Sequence, residues 1–266
     1  MDEMKAIILA AGEGKRLRPL TDNVPKCMVK LFNKTILDHQ ISVFHKCGIN
    51  DLVIVTGYRS ESINLPNLRY YKNSNYQKTN MVETLFCAAK ELDSSVIVSY
   101  GDIIFEKRIL EKLIESKYDC SVVIDKSWKK YWSLRFNEPL EDAESLQMDE
   151  NNFIMNIGQK ISNINEVHGQ YIGLMKFQNN GLSILKKFYK DAKDKSMNSN
   201  ILNPKIRFEQ SYMTDFLQGM IKEKIKLKGI LINNGWLELD SIEDYQIYNK
   251  LHNDGTLSEF ISMNQL

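Results

Sequence analysis

The sequence predicts an α/β protein, a mostly parallel sheet with helices on both faces. Three observations predict it. Short apolar runs recur along the first half of the chain and stop at glycine or polar residues. Helical apolar spacing separates them, and strands alternating with helices at this rhythm need crossover connections. After Asp125 the rhythm changes to two-residue alternation, which marks antiparallel or mixed pairing.

Each element follows from its residues. Residues 5–10, Lys-Ala-Ile-Ile-Leu-Ala, form an apolar run ending near glycines and read as a buried parallel strand. Residues 35–47 carry Leu37, Ile41, Phe44 and Cys47 at helical spacing, and Gly48 stops the helix. Strands are expected at 51–56, 68–72, 95–100 and 120–124. Asn80 and Glu83 suggest a capping box opening a helix through Leu92, and 106–116 is helical. Alternation at 144–149, 152–157 and 170–177 suggests strands, followed by helices at 181–193 and 211–222. A strand at 225–232 precedes Trp236-Leu-Glu-Leu-Asp240 and a closing helix. The polar stretch 191–204 is the best candidate for a mobile loop.

Composition narrows the function classes. A net charge of +1 argues against a general nucleic-acid binder, which needs an excess of Lys and Arg. No run of about twenty apolar residues is present, so no membrane span is expected. Residues 1–5 show no basic leader before a long apolar core. Cys27, Cys47, Cys87 and Cys120 form no CxxC pair or zinc-like spacing with the histidines, which suggests a reducing, cytoplasmic compartment. Cys47 and Cys87 read as core. His39 and His45 read as surface or rim residues of the first helix. His168 reads as a loop residue, or one touching a substrate.

The chemistry concentrates in residues 10–26. Ala10 and Ala11 lead into Gly12 and Gly14, whose backbone can approach a phosphate, and Lys15, Arg16 and Lys26 supply charge for a triphosphate. A Walker loop fails on spacing, and a dinucleotide fingerprint lacks its third glycine where Leu17 stands. A tight strand-to-helix turn alone would leave the downstream arginine, proline and lysine unexplained.

The motif Gly12-x-Gly14-x-Arg16-Leu17-x-Pro19-Leu20-Thr21, followed by Pro25-Lys26, resembles the phosphate-binding motif of the sugar-nucleotidyltransferase superfamily. Val55-Thr-Gly57-Tyr58, Thr79-Asn80-Met81, Tyr100-Gly-Asp102-Ile103, Gly169-Gln-Tyr171-Ile-Gly173 and Trp236-Leu-Glu238-Leu-Asp240 extend the likeness through most of the chain. Their combination is most similar to the bacterial choline-phosphate and 2-aminoethylphosphonate cytidylyltransferase branch.

The resemblance implies a Rossmann-like fold, CTP as donor and Mg²⁺ as cofactor. One mixed α/β domain over 1–266 is the simplest reading of the chain's organisation, with a nucleotide-binding half at 1–125 and an acceptor-binding half at 126–266. Arg16, Lys26, Asp102 and Asp240 would be catalytic, with Asp102 and Asp240 as the metal carboxylates. Ala10 to Gly12, Gly14, Lys15, Gly57, Asn80 and Tyr100 would surround the nucleotide. Asp102 could instead cap the next element, Asp240 could pair with Glu243 as a capping box, and Asn80 could be only a cap.

Trp128, Trp132, Tyr171, Trp236 and Glu238 are candidates for the acceptor pocket, because aromatic faces and carboxylates attract ammonium groups. Glu138 and Asp142 could add counter-charge. Aromatics at helical spacing more often pack a core, and that reading stays beside the first for Trp128 and Trp132. The expected substrates are thus CTP and a phosphorylated amino compound such as phosphocholine, 2-aminoethylphosphonate or glutamine phosphate, the product serving surface-polymer decoration. Neither a nucleic acid nor a membrane is an expected partner. A homodimer is expected from the resemblance alone. Two alternatives are a sugar-1-phosphate nucleotidyltransferase using UTP, dTTP or GTP, and a non-catalytic nucleotide-binding regulatory subunit.

Overall fold

The structure is a computed structural model, and it describes residues 4–161, 163–164 and 167–266. The absence of a basic leader was read partly on residues 1–3, which lie outside that range.

Chain order sets the architecture. Strand β1 (Lys5–Ala10) runs into the glycine bend, and a small hairpin of β2 (Lys30–Leu31) and β3 (Lys34–Thr35) precedes helix α1 (Ile36–Lys46). Strands β4 (Asp51–Thr56) and β5 (Arg69–Lys72) lead to α2 (Met81–Cys87), then β6 (Val96–Tyr100), β7 (Ile103–Phe105), α3 (Lys107–Glu115) and β8 (Cys120–Asp125). Helix α4 (Trp128–Arg135), the hairpin of β9 (Leu146–Met148) and β10 (Ile154–Ile157), and β11 (Gln170–Phe177) follow. The chain closes with α5 (Asn180–Lys195), α6 (Met213–Lys222), β12 (Lys228–Ile232), β13 (Trp236–Glu238) and α7 (Ile242–Asn253).

Seven strands form one sheet in the order β12-β8-β11-β6-β1-β4-β5. All neighbours are parallel except β11, which runs antiparallel to β6 and β8. The expected α/β sheet is therefore present. The period of two along β1 splits it between layers: Ala6, Ile8 and Ala10 face a core with α1, α3 and α4, while Ile7 and Leu9 face one with α2, α5 and α6. The carboxyl ends of the parallel strands thus gather at one edge, where open α/β sheets bind ligands.

Several local expectations change. The pair at the start of α2 is not a full capping box: the Asn80 side chain accepts from Met81 N, while Glu83 receives Tyr189 and Lys193 instead. The capping box of α7 is Ser241 with Asp244, one residue later than Asp240 and Glu243. Asp102 caps no helix, since β7 follows it and Glu106 is the N-cap of α3. His39 is not a rim residue: it is 2% exposed and its Nε2 lies 2.9 Å from the Leu31 carbonyl, whereas His45 is exposed. His168 Nδ1 accepts from Met148 N, an ordinary loop role. Cys47 and Cys87 are half-buried at the margins of the two cores, and Cys27 and Cys120 are the buried pair of thiols. The front of the stretch 191–204 is helical, because α5 runs to Lys195, and beyond it Asn200 is buried and donates to Ser211 Oγ. Among the described residues no helix is long and apolar enough to cross a membrane.

Candidate active site

The glycine bend comes straight off buried β1. Gly14 takes the left-handed conformation, φ +68°, and a side chain there would press on Lys26 Cβ at 3.0 Å. The Thr21 hydroxyl donates to Gly14 O at 2.8 Å and closes the bend. A Cβ built on Gly12 would meet nothing within 4 Å, so its face is open to an incoming group. Gly57 packs on the same loop, where an added Cβ would lie 2.7 Å from Ala11 O. Ala10, Gly12, Lys26, Cys27, Met81, Gly101 and Asp102 line one small pocket of about 20 Å³ at this edge.

The charges converge beside it. Lys26 Nζ donates to Asp102 Oδ2 at 2.6 Å and to Asp240 Oδ1 at 2.7 Å. Burial alone would favour a neutral amine, but the two carboxylates outweigh it and hold the Lys26 pKa above its usual value. Asp240 is likewise disfavoured by burial, yet Lys26 and then Arg16 keep its carboxyl below the usual range. Arg16 pairs with the second Asp240 oxygen while most of its side chain stays in water. Lys15 is exposed and pairs with Glu13. The Asp102 Oδ1 atom is buried and has no partner among the described residues.

An unpartnered carboxylate oxygen on one of two aspartates that share a single lysine suits a hard cation with oxygen ligands. No cluster of three or more His, Cys, Asp or Glu among the described residues offers a complete cage. Mg²⁺ fits this arrangement, because it takes one or two carboxylates and completes its shell with phosphate and water.

A second cavity, about 260 Å³, has Asp240 in its wall. Arg16, Asp240 and Tyr100 line it together with Trp132, Tyr171, Trp236 and Glu238. Trp128 does not line it: it is 1% exposed and packs edge-on against Trp132 with ring centroids 6.0 Å apart, so it belongs to the core and not to the acceptor pocket expected for it. Glu138 is exposed elsewhere, and Asp142 is on the cavity wall. Tyr100 packs edge-on to Tyr171 and covers Gly173, where a side chain would come 2.6 Å from its ring. Asn80, expected beside the nucleotide, lines neither this cavity nor the small pocket at the glycine bend; its side chain accepts from Met81 N as a cap.

Sequence reasoning missed Glu144, Thr214 and Tyr212, which complete the wall, and Arg135, which stands behind it. Arg135 had a signal: Trp128, Tyr131, Trp132 and Arg135 fall on one helical stripe. Glu144 comes from the segment before β9, and Tyr212 and Thr214 from the start of α6, so the three share no local pattern. The wall is acidic. Burial pushes the Glu238 carboxyl upward, against the pull of Arg135, and Asp142 is raised chiefly by desolvation. Glu144 is also pushed up, although it is exposed at the cavity mouth, where water tempers the effect.

Fold and site together define a nucleotidyltransferase. The chain belongs to the MobA-like NTP transferase domain family, which it matches over residues 6–155. It is 41% identical over 255 residues to the CTP:phosphoglutamine cytidylyltransferase of Campylobacter jejuni, covering 92% of this chain and 98% of that one. The choline-phosphate cytidylyltransferase of Streptococcus pneumoniae is 35% identical over 119 residues, 43% of this chain and 52% of that one. Among solved structures, the S. pneumoniae CTP:phosphocholine cytidylyltransferase superposes with a TM-score of 0.70 at 22% identity, covering 94% and 99% of the two chains. The inositol-1-phosphate CTP transferase from T. maritima gives 0.71 at 21% identity over 97% of each chain, and both likenesses concern the fold.

Proposed function

We propose that this enzyme is a Mg²⁺-dependent cytidylyltransferase that moves CMP from CTP to a small phosphorylated amino compound and releases pyrophosphate. The observation that carries the reading is the pair of aspartates, Asp102 and Asp240, bridged by Lys26, with Asp102 Oδ1 buried and unpartnered among the described residues; Asp102 adjoins the open glycine bend and Asp240 lines the acidic, aromatic cavity. The CTP-using relative similar over nearly the whole chain supports the donor and a phosphorylated amino acid as acceptor.

The residues divide the work. Residues 10–14 receive the nucleotide by backbone, and Lys15 and Arg16 hold its β- and γ-phosphates. Asp102 and Asp240 would hold Mg²⁺, which neutralises phosphate charge and orients the triphosphate when bound. Lys26 leaves the carboxylates for the phosphates and stabilises charge growing at the α-phosphoryl group. An acceptor phosphate oxygen attacks the α-phosphorus in line, a new P–O bond forms, and the bond to pyrophosphate breaks. The acceptor oxygen is already anionic, so no general base is needed. Trp132, Tyr171 and Trp236, with Glu238, Asp142 and Glu144, receive the acceptor's ammonium group. The product, a cytidine-diphosphate-linked amino compound, is an activated donor suited to decorating a surface polymer.

A pyrophosphate-release screen tests this: CTP, UTP, dTTP and GTP against phosphocholine, 2-aminoethylphosphonate, glutamine phosphate and sugar 1-phosphates. Turnover is expected with CTP and an amino acceptor. Silence of CTP with every amino acceptor, or preference for UTP with a sugar phosphate, would sink the reading.

A further inference from the structure

Arg135 ends α4 with its side chain only 2% exposed. Its guanidinium is used on every side. Nε and Nη2 donate to the two oxygens of Asp244, at 2.9 and 3.1 Å, and Nη1 donates to Glu238 Oε2 at 2.7 Å. The rings of Tyr131, Phe136 and Trp132 surround it, with its central carbon 5.4, 5.2 and 5.9 Å from their centroids.

Both carboxylates lead into the site. Glu238 lines the acceptor cavity, and its backbone is fixed separately: its N–H donates to Tyr131 Oη at 2.7 Å and its carbonyl accepts from Tyr248 Oη at 2.8 Å. Asp244 Oδ2 accepts from the backbone N–H groups of Asp240 and Ser241, both at 3.0 Å. One guanidinium thus braces the short segment that carries the acceptor carboxylate and, two residues later, the aspartate beside Lys26.

Stability alone does not account for this charge. A buried ion pair replaced by well-packed apolar side chains is often neutral or stabilising, and an aromatic cage would accept an apolar chain. What an apolar chain cannot do is hold two carboxylates at fixed angles, which a planar fork does.

We propose that Arg135 is the positioning residue that fixes acceptor recognition, orienting Glu238 toward the acceptor's ammonium group and, through Asp244, setting the peptide that presents Asp240. The proposal rests on the functional reading above in taking the Glu238 cavity as the acceptor side.

The test uses the full chain and Arg135→Lys, which keeps the charge and loses the fork. The acceptor KM is expected to rise about tenfold, as for loss of a charge-assisted hydrogen bond, and the KM for CTP only about threefold. Glu238→Gln is expected to reproduce the acceptor defect, and the double variant to be no worse than Glu238→Gln alone, because Arg135 acts through Glu238. Binding of Mn²⁺ with CTP, followed by electron paramagnetic resonance, is expected to weaken several-fold in Arg135→Lys and stay near wild type in Glu238→Gln. An unchanged acceptor KM in Arg135→Lys would overturn the proposal. So would equal rises in both KM values, or full additivity with Glu238→Gln. If the wild-type enzyme used no amino acceptor, the functional reading would fail by itself. The Mn²⁺ titration needs no acceptor, and an unchanged Mn²⁺ affinity would then overturn the brace between Arg135 and Asp240.

Discussion

Two clusters of charge sit at opposite ends of β1, and they are built to opposite rules. At the amino end, Glu91 receives Lys5 at 3.0 Å, Arg69 at 2.7 Å and the Tyr71 hydroxyl at 2.7 Å. Asp93 adds a second partner for Lys5, and Asp51 a second for Arg69. At the carboxyl end, Lys26 is shared between Asp102 and Asp240, Arg16 leans in from solvent, and Asp102 Oδ1 is left without a partner among the described residues. The first cluster is satisfied within the chain and works as a staple. The second is satisfied only in part, and that shortfall marks it as the place for a ligand.

The largest expected effect separates the two rules most sharply. Asp102→Asn should lower turnover about 10³-fold, since it removes one of the two carboxylates proposed to hold the metal in a preorganised site. It should leave the melting temperature unchanged or raise it, because a buried, half-partnered charge is replaced by a neutral amide. Pyrophosphate release and calorimetry on the same preparation check both halves. Full Mg²⁺-dependent turnover in Asp102→Asn would remove the metal assignment.

Lys26→Met should cost both properties. Turnover should fall about 10²-fold with the loss of a phosphate-facing charge. Stability should fall by about 3 kcal/mol, because two neighbouring carboxylates lose the cation that holds them together. Urea unfolding measures this second loss. A variant as stable as wild type would mean that the carboxyl-end cluster carries no internal tension.

The two ends also differed in how far the sequence revealed them. The glycine bend and Lys26 were legible because their signal is local: an apolar strand running into Gly12 and Gly14, with cations close behind. Asp102 stood out as an aspartate ending a buried strand. The wall of the proposed acceptor cavity was half legible. Trp132, Tyr171, Trp236 and Glu238 were named, but Glu144 is brought in by the segment before β9, and Thr214 and Tyr212 by the start of α6. Sequence spacing carries no record of such a meeting. Trp128 and Trp132 share one helix face, and only packing decides that the first is core and the second lines a cavity. The shift of the α7 cap by one residue has a similar origin, since Asp240-Ser241-Ile242-Glu243-Asp244 contains two overlapping capping patterns. His39 was misjudged because its partner, the Leu31 carbonyl, belongs to the hairpin before its helix.

The smallest effect tests whether the clusters are independent. Glu91→Gln removes the charge from the staple and touches nothing in the site. Burial opposes ionisation of Glu91, but the Tyr71, Arg69 and Lys5 hydrogen bonds outweigh it and hold the carboxyl below its unfolded value of 4.5. A carboxyl depressed in the folded state stabilises the protein above its unfolded pKa, and that contribution disappears as pH falls through the folded one. The variant should therefore be less stable than wild type by about 2 kcal/mol at neutral pH, the scale of hydrogen bonds to a charged group. The gap should narrow in acid, where wild-type Glu91 also loses its charge. Urea unfolding at neutral pH and below the carboxylate range measures the gap directly. Turnover per folded enzyme at neutral pH should stay within about twofold of wild type, as for a change distant from the reacting groups. A constant gap across pH would show that Glu91 acts by packing and not by charge. A tenfold loss of turnover would show that the two ends of β1 are coupled through the strand.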